Sequence, residues 1–108
     1  MIYSIDEIRE RITPVARKYG LKAVYLFGSY ARCEATQASD VDLIVDTTGT
    51  ALNSLFALGA LYCDLEAALD KSIDMITIGA LEQTPQMPSE QAFRETVERE
   101  RISIYAVA

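Results

Sequence analysis

Three short apolar runs, at residues 22–27, 41–45 and 72–78, set the terms for any fold of this chain. Each is rich in Val, Ile, Leu, Tyr or Phe and too brief for an ordinary helix, so each predicts a strand. The third alternates, with Ile73, Met75 and Thr77 facing one way and Asp74, Ile76 and Ile78 the other. Asp74 is thus a charge in a strand that otherwise reads as buried. A further run at 102–106 predicts a terminal strand, and helices must cover the sheet that results. The expected fold class is α/β (α+β), a small mixed sheet of about four strands flanked by helices. One domain over residues 1–108 is expected, because half of so short a chain could not bury an adequate core.

The helices carry their own signals. Ser4 with Glu7 makes a capping box, Ile5, Ile8, Ile12, Val15, Ala16 and Tyr19 recur at helical spacing, and Gly20 supplies the stop. A helix over residues 5–19 follows, with Pro14 as a candidate kink. The polar segment 28–40 leaves room for a turn of helix and a loop. Residues 46–50 form a turn-like cluster before a helix at 51–70 that is apolar over most of its circumference. Residues 47–63 hold no charge, yet the run is short and interrupted by Asn53 and Gly59, which argues against a membrane span. Such a helix reads as wedged between the sheet and a partner or second copy, so a homo- or hetero-oligomer through 51–70 is expected. Pro85 and Pro88 mark a loop, and Ser89 is the expected cap of a last helix to Glu100. Glu90–Arg94, Arg94–Glu98 and Glu95–Arg99 are its i, i+4 pairs.

Composition narrows the chemistry. A net charge of −6 with no Lys/Arg cluster argues against direct nucleic acid binding. The chain has no His, which removes Ser-His and Cys-His nucleophile pairs and the commonest zinc ligand. Carboxylates must therefore carry any catalysis. Cys33 and Cys63 are isolated, so neither a metal clip nor a disulfide framework is expected, and a cytoplasmic setting fits. Asp6 and Glu7 interrupt the N-terminus before any apolar stretch forms, so no secretory leader is expected.

The most unusual features lie together in Phe27-Gly28-Ser29-Tyr30-Ala31-Arg32 and Ser39-Asp40-Val41-Asp42-Leu43. Glycine where a strand turns lets a phosphate approach the backbone, and the Ser29 hydroxyl can donate to that anion. Asp40 and Asp42, at i and i+2 on a strand start, share a face and lie ~7 Å apart along the backbone. A cap or solvated strand end is the ordinary explanation for such a pair; a shared divalent cation is the other. Asp74 shifts that balance if its strand lies beside residues 41–45, because one sheet face then carries three carboxylates and no Lys or Arg in either strand.

In G-S-Y-A-R-C-E-A-T-Q-A-S-D-V-D-L, followed by I-D-M-I, the chain resembles the minimal nucleotidyltransferases of the DNA polymerase β-like superfamily. The likeness covers roughly residues 22–78 and implies the polymerase β-like nucleotidyltransferase fold. By that resemblance, Gly28 and Ser29 would hold the β- and γ-phosphates of a nucleoside triphosphate, ATP being the expected substrate. Asp40, Asp42 and Asp74 would be metal-binding and catalytic, holding Mg²⁺, two ions being expected, with Asp74 also helping to deprotonate the attacking hydroxyl. Arg32 and Ser39 would shape the loop or touch the triphosphate. Cys33 departs from the pattern, standing where such proteins often carry Gly.

The resemblance also implies an antitoxin that transfers AMP to a tyrosine of a HEPN-domain toxin. Two alternatives stay open: an antitoxin that acts by masking its toxin without chemistry, and a small-molecule nucleotidyltransferase completed by another subunit.

Overall fold

A computed structural model describes residues 2–81 and 87–107 of the chain. The elements run α1 (Ile5–Tyr19), β1 (Ala23–Phe27), α2 (Gly28–Ala31), β2 (Val41–Asp46), α3 (Leu55–Leu69), β3 (Ile73–Thr77), α4 (Ile78–Leu81), α5 (Pro88–Glu100) and β4 (Ile102–Ala106). Among the described residues four strands form one mixed sheet in the order β3-β2-β1-β4. β1 is antiparallel to β2 and β4, whereas β2 and β3 are parallel, with α3 as the crossover between them.

Strand parity sorts the side chains into two layers. On one face Val24, Leu26, Val41, Leu43, Val45 and Ile104 meet Ile8, Ile12 and Ala16 of α1 and Leu61, Leu65 and Leu69 of α3. Full burial of each such Leu or Ile is worth roughly 1.5–3 kcal/mol, so this layer supplies most of the stability. The two helices are also tied by polar contacts: the Tyr3 hydroxyl donates to the Leu69 carbonyl, and Tyr19 and Lys18 both donate to Asp64, at 2.6 and 3.0 Å. The Tyr19 hydrogen bond, with Lys18, holds the Asp64 carboxyl below its ordinary value. The opposite face is thinner, with Phe27, Ile44 and Val97 at its centre and Ile76, Ile78 and Leu81 against them.

Local rules explain the first helix. Ser4 accepts from the Glu7 N–H while Glu7 accepts from the Ser4 N–H, and Gly20 closes the other end at φ 68°, in the left-handed region. The helix runs through Pro14 from Ile5 to Tyr19.

Elsewhere the structure corrects the sequence expectations. The helix expected at 51–70 begins only at Leu55, because Ser54 takes the cap position and accepts from the Ala57 N–H. The last helix is not capped by Ser89; Met87 holds that position without a side-chain bond and Pro88 occupies the first turn, where its missing N–H costs nothing. β3 ends at Thr77, and Ile78 opens the short α4, where the Ala80 N–H donates to the Thr77 hydroxyl. In α5, Glu95 accepts from Gln91, while Arg99 donates to the Thr96 hydroxyl and Arg94 to the Ala80 carbonyl, where the expected pairs were Glu95–Arg99 and Arg94–Glu98. Pro85 lies outside the described residues.

The apolar α3 is buried only along one edge. Leu55 and Phe56 at its start are 90% and 92% exposed. Among the described residues no helix is long and apolar enough to cross a membrane.

Candidate active site

The site forms where β1 gives way to α2. Phe27 is extended and Gly28 turns the chain at φ 73°. That turn requires glycine twice over. The conformation disfavours any side chain, and a Cβ added at Gly28 would overlap Oδ2 of Asp42. Phe27 and Asp42 are register partners across β1 and β2, which sets the Asp42 carboxylate directly against the turn.

The parallel pairing of β2 and β3 then places Asp42 level with Asp74. Adjacent strands lie about 4.8 Å apart and equal parity gives equal faces, so the two carboxyls converge. Burial pushes the Asp42 carboxyl up to about 6, helped by hydrogen bonding toward Asp74 and by the charges of Asp74 and Asp40, with Arg32 opposing. Among the described residues neither carboxylate of the pair has an ion-pair partner.

The expectation that Asp74 sits in a buried strand is corrected. Only Asp42 is half-buried; Asp74 is exposed because β3 is the edge of the sheet, and Asp40 is exposed because it precedes β2 on the loop. Among the described residues no three Asp, Glu or Cys side chains converge closely enough to cage a metal as they stand. Asp42 and Asp74 come together, and Asp40 sits near enough to act on Asp42 through its charge.

The remaining candidates divide. Ser29 lies on α2, its carbonyl accepting from the Glu34 N–H, and among the described residues its hydroxyl has no partner. Arg32 lines the same pocket as Gly28, Asp42 and Asp74, and pairs through Nε with Glu34 at 3.1 Å and through Nη1 with Glu100 at 3.0 Å. Ser39 instead braces the loop: its hydroxyl accepts from the Thr36 N–H at 2.9 Å and its N–H donates to the Thr36 carbonyl at 3.1 Å. Cys33 has φ 59°, so the position where the resembling proteins carry Gly adopts a conformation that favours glycine.

A cavity of about 590 Å³ surrounds the pair, within the ordinary range for small-molecule sites. One wall was missed by the sequence reading. Phe93, Thr96, Val97 and Glu100 of α5 line it, and Phe93 meets Phe27 edge to face with ring centres 6.2 Å apart. The available signal was Phe93 and Val97 at i, i+4 spacing, hidden among the charges of α5. A larger fraction of apolar surface elsewhere does not compete chemically: the cavity of about 550 Å³ beside Tyr3 and Tyr30 has Asp6 as its sole charged lining residue. The arrangement at Asp42 and Asp74 can gather positive charge, accept a proton and admit an anion at Gly28.

Known proteins resemble the chain in sequence and fold. The family model for polymerase beta nucleotidyltransferases matches residues 10–102. A candidate protein adenylyltransferase of Methanocaldococcus jannaschii is 38% identical over 78 residues, covering 72% of this chain and 82% of that protein. The protein adenylyltransferase MntA of Thermococcus cleftensis is 36% identical over 82 residues, covering 72% and 81%. Among solved structures, a candidate minimal nucleotidyltransferase has a TM-score of 0.67 at 29% identity, covering 93% of this chain and 95% of that one. A toxin–antitoxin structure with AMP-PNP has a TM-score of 0.68 at 23% identity, covering 92% and 73%, a likeness of fold. Family model and relatives agree: the chain belongs to the polymerase beta nucleotidyltransferase family and is an enzyme of that class.

Proposed function

We propose that this chain is a Mg²⁺-dependent antitoxin that transfers AMP from ATP to a tyrosine hydroxyl of a HEPN-domain toxin and thereby neutralises it. The observation that carries the reading is the in-register pair Asp42 and Asp74, without a basic ion-pair partner among the described residues, set against the Gly28 turn. The donor set fits a hard cation, since carboxylate oxygens suit Mg²⁺ and no His is present. Asp42 and Asp74 would hold it, with Asp40 completing the set from the adjoining loop. Bound there, Mg²⁺ would activate the attacking oxygen and neutralise charge on the departing pyrophosphate.

The chain's own residues supply the rest. Gly28 leaves room for a phosphate at the backbone, and the Ser29 hydroxyl is free to donate to it. Arg32 uses Nε and Nη1 on glutamates, which leaves the N–H groups of Nη2 for the triphosphate. Asp74, exposed at the sheet edge, faces an incoming acceptor and would take its hydroxyl proton. A bond then forms from the acceptor oxygen to the α-phosphorus, the α–β bridge breaks, and pyrophosphate leaves.

The choice of acceptor rests on relatives. A solved MNT antitoxin whose fold matches at a TM-score of 0.64 and 20% identity is in complex with a tri-AMPylated HEPN toxin of Shewanella oneidensis. The exposed Leu55 and Phe56 offer a surface for such a partner. The two free cysteines suit a cytoplasmic protein.

Incubation with Mg²⁺, ATP and the product of the adjacent gene tests the reading. The acceptor should gain AMP on a tyrosine, and Asp42→Asn should abolish the gain. Toxin neutralised equally well by Asp42→Asn, with no modification, would instead assign the protein to masking.

A further inference from the structure

Phe93 is unlike the other large side chains near the site. It is 46% exposed although it lines the cavity. Its ring meets Phe27 at 83°, an edge-to-face contact. In such a pair at least one face of each ring is left uncovered by the other. Phe27 is 8% exposed, so the ring that offers free area to the cavity is that of Phe93. A residue serving only to cover the sheet would be expected to bury more of itself, as Val97 does one turn later at 2%.

Position along the strand gives this ring a ligand. Ile76 is the next residue after Asp74 on the same sheet face, about 7 Å farther along β3. It lines the cavity together with Phe93, so the charged and apolar walls follow one another in order. A second cavity of about 350 Å³ also shares Ile76 and Phe93; Ala80 and Leu81 continue its apolar side, and Ser89, Glu90 and Arg94 line the rest. In a nucleoside triphosphate the α-phosphate is followed by the nucleoside. Phosphates at Gly28 and the reacting phosphorus at Asp42 and Asp74 leave the base to the wall beyond them.

We infer that Phe93, backed by Phe27 and beside Ile76, is the nucleobase subsite, holding a planar heterocycle by stacking. The inference rests on the nucleotide-binding reading of the Asp42–Asp74 cavity. Stacking on an aromatic side chain tolerates any base, since each has a π-face, so Phe93 provides affinity for the nucleoside and not a choice among bases.

Calorimetry on the full chain with Mg²⁺ tests this, using AMP-PNP and inorganic tripolyphosphate as ligands and Phe93→Leu and Phe93→Tyr as variants. Phe93→Leu should weaken AMP-PNP about tenfold, the scale of one base–aromatic stack, and leave tripolyphosphate unchanged. Phe93→Tyr should restore AMP-PNP binding. The assignment is overturned if the leucine variant binds AMP-PNP like the wild type, or if it loses tripolyphosphate in equal measure. It is also overturned if nucleotide affinity is unchanged while the KM for the acceptor rises, which would give the ring to the acceptor. A wild-type chain that binds neither ligand sinks the nucleotide site itself, a result distinct from failure at Phe93 alone.

Discussion

Replacing Asp42 by Asn should stabilise the protein in the absence of divalent cations. The Asp42 carboxyl rises from 3.8 to about 6 on folding, chiefly through burial and then through Asp74. A group whose folded-state pKa is raised favours the folded state fully below its unfolded value, and that contribution is lost as pH climbs through the folded value. Stability should therefore fall between pH 4 and pH 6 and stay low above. A rise of about 2 units corresponds to about 3 kcal/mol at 1.36 kcal/mol per unit. Solvent in the open cavity screens part of this, which leaves roughly 1–2 kcal/mol. Asn carries no charge to desolvate and can still donate to Asp74. Urea titrations in EDTA should place Asp42→Asn above the wild type by that amount at pH 7.5, with the gap closing near pH 4. Mg²⁺ at pH 7.5 should raise the wild type and leave the variant nearly unmoved. A variant less stable than the wild type at pH 7.5, or a gap independent of pH, would refute the reasoning.

Three other substitutions probe separate parts of the account. Gly28→Ala forces a side chain to a positive φ and into Asp42 Oδ2, so it should cost at least about 2 kcal/mol, read from urea midpoints, and abolish nucleotide binding. Cys33→Gly relieves a left-handed residue at φ 59° and should raise stability by up to about 1 kcal/mol, since glycine's extra chain entropy offsets part of the gain; a loss in thermal melts would contradict this. Phe56→Ser, at a position 92% exposed, should change stability by less than about 0.5 kcal/mol yet weaken co-purification with the partner.

How far the sequence could be read follows from which rules are local. The helix of Ser4, Glu7 and Gly20 is set by bonds within a few residues, and its limits were legible. Parity within residues 72–78 put Asp74 and Ile76 on one face correctly, because strand period is also local. The order of strands is not local. Nothing in the sequence made β3 the sheet edge, and so Asp74 was expected to be buried when it is exposed. The start of α3 was misplaced because Leu52 continues an apolar pattern that Ser54 interrupts only through its cap bond. The wall formed by α5 escaped notice because Glu90, Arg94, Glu95, Glu98 and Arg99 give that helix the composition of a solvated one, while Phe93 and Val97 are the apolar residues it turns toward the cavity. Thus the carboxylates and the glycine turn were readable as chemistry, whereas the surface that completes their pocket depended on tertiary placement.

The position of the isotope in ATP separates nucleotidyl transfer from every other use of this site. With label at the α-phosphate, the partner protein should become radioactive in the presence of Mg²⁺, and Asp42→Asn or Asp74→Asn should bring the signal to background. Label at the γ-phosphate should leave the partner dark. Transfer of the γ-label, or undiminished α-label with Asp74→Asn, would contradict the assignment of the Asp42–Asp74 pair as the centre of the reaction.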